Sequence, residues 1–338
     1  MRTRSRDQSG TVAEISCIDG HTPIRDAHAR FIQSRLQSFA QVTRLAESSG
    51  LPNGIKAAGR RRSQATMAVP TTVDLFGINL HPCRLDEAAD ELYRWIGATD
   101  AGRCRYVVTP NVNHAVLLQH HRAFARAYAD ADLVLADGAP LVALSRLLGR
   151  SLPERVAGSD LVPKLFERGC AEQPIRVFLL GARAEVSERA AWMAERRWPG
   201  VKVVGRNSPA LGFERNKTEN VRILAEIAAA SPDALIVGLG APKQELWVHR
   251  HRDAIRAKVV LCVGATIDFI AGEKRRAPVW MRRAGLEWIH RVATEPRRLS
   301  GRYMRDGLAL PGMVFREMRH SMSRRPPLHR PSGSRKPV

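Results

Sequence analysis

The sequence is poor in cysteine and in long apolar runs, and each shortage argues against a class of protein. Only five of its 338 residues are cysteines, and no two of them stand in a C-x-x-C pair. A disulfide framework or a zinc knuckle is therefore not expected, and the cysteine usage favours a reducing cytoplasm. No apolar run reaches the roughly 18 residues of a membrane-spanning helix. The opening residues, MRTRSRDQSG, form no apolar stretch of signal-peptide length, which predicts that the protein is not secreted.

Acidic residues are also in short supply, above all near the C-terminal end. The chain has 54 Lys and Arg against 33 Asp and Glu, a net charge of +21. Residues 273–338 carry 17 basic against 5 acidic residues, whereas residues 71–272 are close to neutral, with 26 against 23. This distribution predicts a globular body that bears a cationic attachment surface. Nucleic acid, anionic lipid and phosphorylated substrates are all candidate partners for such a surface.

Four regions follow from the pattern of apolar and charged residues. Residues 1–70 lack sustained periodicity, which predicts a mostly disordered extension with one helix over 27–45. In residues 71–272, short apolar runs rich in β-branched residues alternate with amphipathic stretches, which predicts an α/β core. Residues 273–320 are basic and helical in pattern, and residues 321–338 are rich in Pro, Ser and Arg, which predicts a disordered tail.

The core region predicts a Rossmann-like parallel sheet covered by helices on both faces. The strands are expected over residues 106–109, 133–135, 177–180, 201–204, 234–237 and 259–263. The helices are expected over residues 86–96, 113–128, 186–197, 217–230 and 244–256. Because ligands of such sheets collect beyond the carboxyl ends of the strands, the residues that follow each strand are the candidate site.

Polar residues follow the first two of these strands. In YVVTPNVNH, the side chains of Thr109, Asn111 and Asn113 would project into a ligand crevice, although Asn113 alone is equally well explained as a helix N-cap. In ADLVLADG, the strand ends at Asp137, a candidate general base, and Gly138 would let a ligand approach the backbone. A turn-forming Asp-Gly pair is the structural alternative.

The segment IVGLGAPKQE resembles a phosphate cradle, with two glycines at a strand end and a lysine at a helix start. Its candidate binding residues are Gly238, Gly240 and Lys243, and a tight turn is the alternative interpretation. Gly181, in LLGAR, is a weaker version of the same pattern, and Asp268 could bind a hydroxyl or cap a helix. The pattern matches neither a P-loop nor the dinucleotide fingerprint.

A pair of aspartates and a pair of histidines could each suggest a metal site, but their positions argue against metal binding. The D-x-D of residues 130–132 precedes its strand, which favours solvated carboxylates over a cation site. The histidines at 249 and 251 point to different faces of their expected helix. No metal and no cofactor are predicted.

Taken together, these stretches resemble the WecG/TagA/CpsF family of bacterial glycosyltransferases (family 26). The matching segments are TPNVNH, ADLVLADGAPLV, LPERVAGSDL, VFLLGA, IVGLGAPKQELW, VGATIDFIAGEKRRAPVW and GLEWIHRVATEPRRLSGRY, in family order over roughly residues 73–310. The resemblance implies inverting, metal-independent transfer of a sugar from a UDP-sugar to a polyprenyl-diphosphate-linked sugar in cell-surface polysaccharide biosynthesis. The sugar would be N-acetylmannosamine, its uronic acid or a hexose.

The resemblance also implies roles for individual residues. Asp137 corresponds to the family's general base, and Thr109, Asn111 and Gln244 correspond to its substrate-binding motifs. Arginines of the C-terminal appendage would complete the site at the membrane. The full set of candidate substrate-binding residues is Thr109, Asn111, Asn113, Gly138, Arg155, Ser159, Asp160, Gly181, Gly238, Gly240, Lys243, Gln244, Asp268, Arg291, Arg298 and Arg302.

The expected partners are therefore a UDP-sugar, a polyprenyl-diphosphate-linked acceptor and the anionic inner surface of the bacterial membrane, with the enzyme peripheral on its cytoplasmic face. The alternatives are a Rossmann-type oxidoreductase and a basic nucleic-acid-binding protein. The first lacks a clear phosphate fingerprint, and the second lacks a recognised nucleic-acid module. The sequence leaves open the donor sugar, the acceptor sugar and the oligomeric state. A homo-oligomer is one option.

Overall fold

The strands expected from the sequence form one parallel sheet in a computed structural model of the chain, which describes residues 72–98 and 103–323. The strands are β1 (Val73–Leu75), β2 (Ile78–Leu80), β3 (Arg105–Val108), β4 (Leu133–Val134), β5 (Ile175–Gly181), β6 (Val201–Asn207), β7 (Ala234–Gly238) and β8 (Val259–Cys262). The first two pair as an antiparallel hairpin, which the sequence did not predict. The other six lie in the order β4-β3-β8-β7-β5-β6, with every neighbouring pair parallel. The predicted α/β class is confirmed.

Helices connect these strands and continue beyond the last one. They are α1 (Leu85–Gly97), α2 (Val112–Leu118), α3 (Arg122–Ala129), α4 (Ala139–Leu147), α5 (Gly158–Phe166), α6 (Ala184–Arg197), α7 (Lys217–Ala230), α8 (Lys243–His251), α9 (Thr266–Ile270), α10 (Val279–Arg283), α11 (Glu287–Thr294) and α12 (Pro296–Ser323). The helix predicted over 217–230 matches α7 at both ends. The predicted extension over residues 1–70, its helix over 27–45 and residues 324–338 of the tail lie outside the described residues.

The prediction of a single helix over 113–128 is wrong, because the helix is interrupted between α2 and α3. His121 adopts a non-helical backbone (φ −124°), and its Nδ1 accepts a hydrogen bond from the Phe124 amide at 3.1 Å. A side chain that caps a new helix in this way starts a second segment. The helix predicted over 244–256 also ends early, at His251.

Two apolar layers, one on each face of the sheet, form the core. In β7, Leu235 and Val237 belong to one layer, and Ala234 and Ile236 belong to the other. All four side chains have no exposed surface. Such continuous burial is the expected result of helices on both faces of a parallel sheet, and it leaves only the strand ends open to ligands.

The C-terminal appendage, which we define as α10, α11 and α12, packs against the core through one face of its long helix. Among the side chains of α12 that the structure describes, Leu299, Asp306 and Met313 are buried, spaced seven apart, and the helix packs on α2. It continues to Ser323, past the boundary predicted at residue 320. Among the helices of residues 72–98 and 103–323, none is both long and apolar enough to cross a membrane.

Candidate active site

A cavity of about 330 Å³ opens where the carboxyl ends of β3 and β4 face the appendage. Its volume lies at the lower end of the range typical of small-molecule sites. Its walls come from both parts of the chain. The core contributes Asn111, Val112, Asn113, Asp137, Gly138, Ala139, Pro140, Arg155 and Ser159, and the appendage contributes Arg282, Gly285, Glu287, Trp288, Arg291, Arg302, Tyr303, Asp306, Gly307 and Leu310.

The turn after β3 forms one rim of this cavity. Asn111 caps α2, because its Oδ1 accepts hydrogen bonds from the amides of Asn113 at 3.0 Å and His114 at 3.4 Å. The capping role considered for Asn113 therefore belongs to Asn111. The Asn113 side chain does not cap the helix. Its Nδ2 instead donates a hydrogen bond to Asp306 Oδ1 at 3.0 Å.

Asp137 lines the cavity, three residues after the end of β4. Its backbone amide donates to Pro110 O at 2.8 Å, which fixes the end of β4 beside the turn after β3. Burial raises the pKa of Asp137 to about 6, against the attraction of Arg155 and Arg291 and with the repulsion of Glu287 and Asp160. A carboxylate with a pKa near neutrality is suited to accept a proton from a substrate hydroxyl.

Gly138, next to Asp137, is not required by the backbone. Its φ of 169° is extended, and a Cβ built there would make only ordinary contacts, the nearest at 3.7 Å from Asn111 Cβ. The residue lines the cavity, and its small size leaves room for a ligand rather than relieving strain.

Arg155 stands beside Asp137 and is held by two other carboxylates. Its Nη2 donates to Asp160 Oδ2 at 2.7 Å, and its Nη1 donates to Glu287 Oε2 at 2.9 Å. The same Nη1 lies 3.9 Å from Asp137 Oδ1. Because Arg155 donates to Asp160 and Glu287, Asp137 has a charged neighbour but accepts no hydrogen bond from Arg155.

Asp160 does not line the cavity but organises the arginines around it. Arg155 and Arg276 each bind one of its oxygens at 2.7 Å, and Arg282 Nη1 lies 3.6 Å away. Burial opposes ionisation, but the Arg276 hydrogen bond and the surrounding positive charges hold the pKa of Asp160 below its usual value. This carboxylate is therefore ionised and positions cationic groups at the site.

Two of the three appendage arginines predicted from the resemblance reach the cavity. Arg291 and Arg302 line it, and Arg302 Nε is buried without a hydrogen-bond partner in the described part of the chain. Arg298 belongs to α12, but its side chain lies outside what the structure describes. The neighbouring His114 cannot serve as an acid, since burial, with a smaller contribution from Arg302, lowers its pKa to about 3.

Several predicted residues lie elsewhere along the same edge of the sheet. Thr109 is buried, and its hydroxyl donates to Cys262 O at 3.4 Å. Gln244 is also buried, and its Oε1 accepts from the amides of Gly240 and Gly264 at 3.2 Å each. Gln244 thus joins the turns after β7 and β8, and the structure does not place it, or Thr109, in the wall of the cavity.

The remaining predicted residues lie at or after the carboxyl ends of β5, β7 and β8. Gly181 and Gly238 are adjacent across β5 and β7, and a Cβ on Gly181 would lie 2.6 Å from Gly238 O, so close strand packing requires a glycine there. Gly240 has a positive φ of 80°. Lys243 lies 3.8 Å from Glu214, and Asp268 lies 3.6 Å from Lys274.

The D-x-D of residues 130–132 has a structural role. Asp132 accepts from the Tyr106 amide at 2.8 Å and forms an ion pair with the buried Arg252, and Asp130 contacts His249 at 2.7 Å. Within residues 72–98 and 103–323, no group of three His, Cys, Asp or Glu could hold a metal ion.

Three charged residues of the cavity were missed from sequence: Arg282, Glu287 and Asp306. Glu287 and Asp306 are rare acidic residues in the strongly basic C-terminal region, and each contacts a predicted site residue of the core. The rarity of acid there was the available signal. The core partners of Glu287 and Asp306 could not be predicted from the sequence, because they lie 132 and 193 residues away along the chain.

Comparisons with known proteins show the family of the chain. The sequence profile of the glycosyl transferase WecG/TagA/CpsF family matches residues 73–324. A Bacillus spizizenii N-acetylglucosaminyldiphosphoundecaprenol N-acetyl-beta-D-mannosaminyltransferase is 29% identical over 221 residues, 65% of this chain and 81% of that protein. The Staphylococcus aureus (strain MRSA252) protein of the same name is 29% identical over 230 residues, 67% of this chain and 86% of that protein. The chain is thus a glycosyltransferase and belongs to the WecG/TagA/CpsF family.

Proposed function

We propose that this enzyme transfers a sugar from a UDP-sugar to a polyprenyl-diphosphate-linked sugar, with inversion at the anomeric carbon and without a metal ion. The names of the two relatives favour N-acetylmannosamine as the sugar and N-acetylglucosaminyl-diphosphoundecaprenol as the acceptor. The observation that carries the proposal is the position of Asp137, a carboxylate with a pKa of about 6, in a cavity lined by four arginines.

Asp137 is the general base of this reaction. It takes the proton of the acceptor hydroxyl as the oxygen attacks the anomeric carbon. The new C–O bond forms on one face of the sugar while the bond to the diphosphate oxygen breaks on the other, so UDP leaves and the configuration inverts. A base that is mostly ionised at pH 7, with a pKa still close to that value, fits this role.

Arginine side chains take the place of a metal ion at the departing diphosphate. Arg155, Arg282, Arg291 and Arg302 line the cavity together with three carboxylates, those of Asp137, Glu287 and Asp306. Arg155 is bound by Glu287 and Asp160, and Arg282 donates to Ala277 O at 3.2 Å and lies 3.6 Å from Asp160. Arg291 and Arg302 are therefore the arginines proposed to bind the phosphate oxygens, which guanidinium groups bind strongly. The Nε of Arg302, which is buried and has no hydrogen-bond partner among the described residues, supports this assignment.

The nucleotide is proposed to extend along the turns after β7 and β8. Gly240 and Gly264, both at positive φ, shape these turns, and Gln244 ties them together. Lys243 adds a positive charge at the start of α8, and Asp268 follows β8 at the same edge of the sheet. Ligands of parallel sheets typically lie across such neighbouring strand ends.

The appendage is proposed to hold the enzyme on the anionic inner face of the membrane. Met304, Leu308, Pro311, Phe315 and Met318 of α12 are exposed. Their spacing of four, three, four and three residues places them in one stripe, opposite the buried face of the helix. Arg305, Arg316 and Arg319 lie beside this stripe. An apolar stripe with flanking basic residues is typical of helices that lie in a membrane interface.

The proposed function is tested with a panel of UDP-sugars and a polyprenyl-diphosphate-linked N-acetylglucosamine acceptor in vesicles. We expect UDP release and a disaccharide-lipid product with UDP-N-acetylmannosamine, and an α to β change at the anomeric carbon by NMR. The Asp137→Asn variant is the matched control for enzyme-dependent turnover. Failure of every UDP-sugar to yield a product with the wild-type enzyme would contradict the proposal.

A further inference from the structure

Arg155 has two carboxylates of the site within reach of a single nitrogen. Its Nη1 is 2.9 Å from Glu287 Oε2 and 3.9 Å from Asp137 Oδ1. The first distance is a hydrogen bond, and the second is too long for one. Glu287 belongs to α11 of the appendage, whereas Arg155 and Asp137 belong to the core. In this arrangement Nη1 of Arg155 binds a carboxylate of the appendage and not that of Asp137.

We propose that Glu287 is a positioning residue that holds Arg155 away from Asp137, so that the Asp137 carboxylate stays free to accept the proton of the acceptor hydroxyl. The inference rests on the proposed function, in which Asp137 is the base. Glu287 itself touches neither reacting atom in this scheme. It acts through Arg155, and it makes the state of the base depend on the docked appendage.

The geometry of Arg155 supports this role. Asp160 holds the Nη2 end of the guanidinium at 2.7 Å, so the group can turn only about that anchor. With Glu287 in place, the Nη1 end is directed towards α11. Without Glu287, a movement of about 1 Å would bring Nη1 into hydrogen-bond distance of Asp137. A direct ion pair would make the carboxylate a weaker base.

The charges around Asp137 come from the core and from four segments of the C-terminal region. Near Asp137 are Arg155 and Asp160 of the core and Arg276 at the start of the appendage region. Glu287 and Arg291 of α11 face it, Arg282 of α10 shares its cavity, and Arg302 and Asp306 of α12 line the far wall. Arginines dominate this set. The negative charge of Glu287 is therefore an important counterweight, and it contributes to the raised pKa of Asp137.

Two variants separate the charge of Glu287 from its hold on Arg155. Glu287→Gln keeps the size of the side chain and an oxygen acceptor but removes the charge. Glu287→Ala also releases Nη1. We expect the acid limb of the kcat/KM profile to move to lower pH in both variants, by about one pH unit in Glu287→Ala. The plateau of kcat/KM should fall about three- to tenfold, because the base is weaker.

Glu295→Gln is the matched control. Glu295, which follows α11, also forms an ion pair that holds the C-terminal region together, with Lys274 at 3.2 Å, but it does not line the cavity of Asp137. We expect its acid limb to stay at the wild-type pH. If Glu287 only docked the appendage, its variants would lose rate equally at every pH without moving the limb, and the proposal would be overturned.

A second measurement needs no substrate. The Asp137 carboxyl carbon can be followed by NMR titration of protein labelled with ¹³C-aspartate, with Asp137→Asn assigning the signal. We expect its titration midpoint to fall in both Glu287 variants and to be unchanged in Glu295→Gln. An unchanged midpoint in Glu287→Ala would refute the positioning role even if transfer activity were never observed. Failure of the proposed function would instead appear as an inactive wild-type enzyme.

Discussion

Asn113 and Asp306, which both line the cavity, are joined by a hydrogen bond of 3.0 Å. Asn113 lies in the first turn of α2, and Asp306 lies on the buried face of α12. The appendage thereby fixes a core side chain that was predicted to bind substrate. Because Asp306 is almost wholly buried, its removal would leave a polar cavity wall with an unpaired amide.

We expect Asp306→Ala and Asn113→Ala each to lower kcat/KM for the lipid-linked acceptor about tenfold, a loss of about 1.4 kcal/mol. The Asn113→Ala/Asp306→Ala double variant should lose little more than either single variant, since both changes remove the same contact. Steady-state kinetics on the four proteins complete the cycle. Additive losses would show that the two residues act separately.

Asp137→Asn should lower transfer by about 10²–10⁴-fold, the usual contribution of a general base. The wild-type kcat/KM should fall with acid below about pH 6, because protonation of Asp137 removes the base. The residual activity of Asp137→Asn should not show this acid limb. A variant that keeps more than about half of the wild-type turnover would exclude Asp137 as the base.

The same substitution should stabilise the fold at neutral pH. The pKa of Asp137 is about 6 when folded and about 3.8 when unfolded, so the folded state binds the proton more tightly. The stabilisation that protonation of Asp137 gives the folded state is therefore complete below pH 3.8, and it is lost as the pH rises through 6. We expect Asp137→Asn to raise the free energy of unfolding by about 1–2 kcal/mol at pH 7.5, a value reduced by solvent screening because 28% of the side chain is exposed. Denaturant unfolding at pH 4 should show almost no gain.

Residues within the α/β core were the most predictable from sequence. Each of the six parallel strands is a short apolar run between polar turns, and Asp137 could be identified because it ends such a run. α5 was not predicted, since Pro163 lies inside it and proline normally interrupts helices. The packing of α5 on α1 outweighs this local preference.

The assignment of individual site residues was less predictable. Which of Asn111 and Asn113 caps α2 depends on the residue at which the helix begins, and a shift of two positions reverses their roles. Gln244 was expected to bind substrate, but its orientation depends on the turns it joins. Contacts of Glu287 and Asp306 with the core span more than a hundred residues, and no local pattern encodes them.

The acidic pair at residues 130–132 should matter for stability and not for metal binding. Arg252 is buried and donates to Cys104 O at 3.0 Å, to Asp130 O at 2.8 Å and to Asp132. We expect Arg252→Ala to lower the free energy of unfolding by about 3 kcal/mol, because it leaves Asp132 and two carbonyls without their donor. Arg250 is exposed and lies two residues away, so Arg250→Ala should change the free energy of unfolding by less than about 0.5 kcal/mol.

Transfer by the wild-type enzyme should continue in excess EDTA. The carboxylates of this acidic pair are engaged by Arg252 and His249, and arginines face the proposed diphosphate. Activity is measured with the UDP-sugar assay before and after chelation, with and without added Mn²⁺ or Mg²⁺. Loss of activity in EDTA that either ion restored would contradict the metal-free mechanism.

The exposed stripe of α12 should govern membrane attachment separately from catalysis. Leu308 is 79% exposed and Phe315 is 63% exposed, on the side of the helix opposite the buried Met313. We expect Leu308→Gln/Phe315→Gln to lower partitioning onto vesicles of phosphatidylcholine and phosphatidylglycerol at least about tenfold, since two apolar side chains no longer enter the interface. Leu211→Gln is the matched control, because Leu211 is 96% exposed but lies outside the appendage.

Kinetics distinguish attachment from a role in the site. The stripe points away from the face of α12 that lines the cavity, so the double variant should keep its kcat/KM with a water-soluble, short-chain acceptor. With the full-length lipid acceptor in vesicles, its rate should fall in parallel with vesicle binding. Equal losses with both acceptors would show instead that the substitutions disturb the site. Unchanged sedimentation with vesicles would show that another surface holds the enzyme at the membrane.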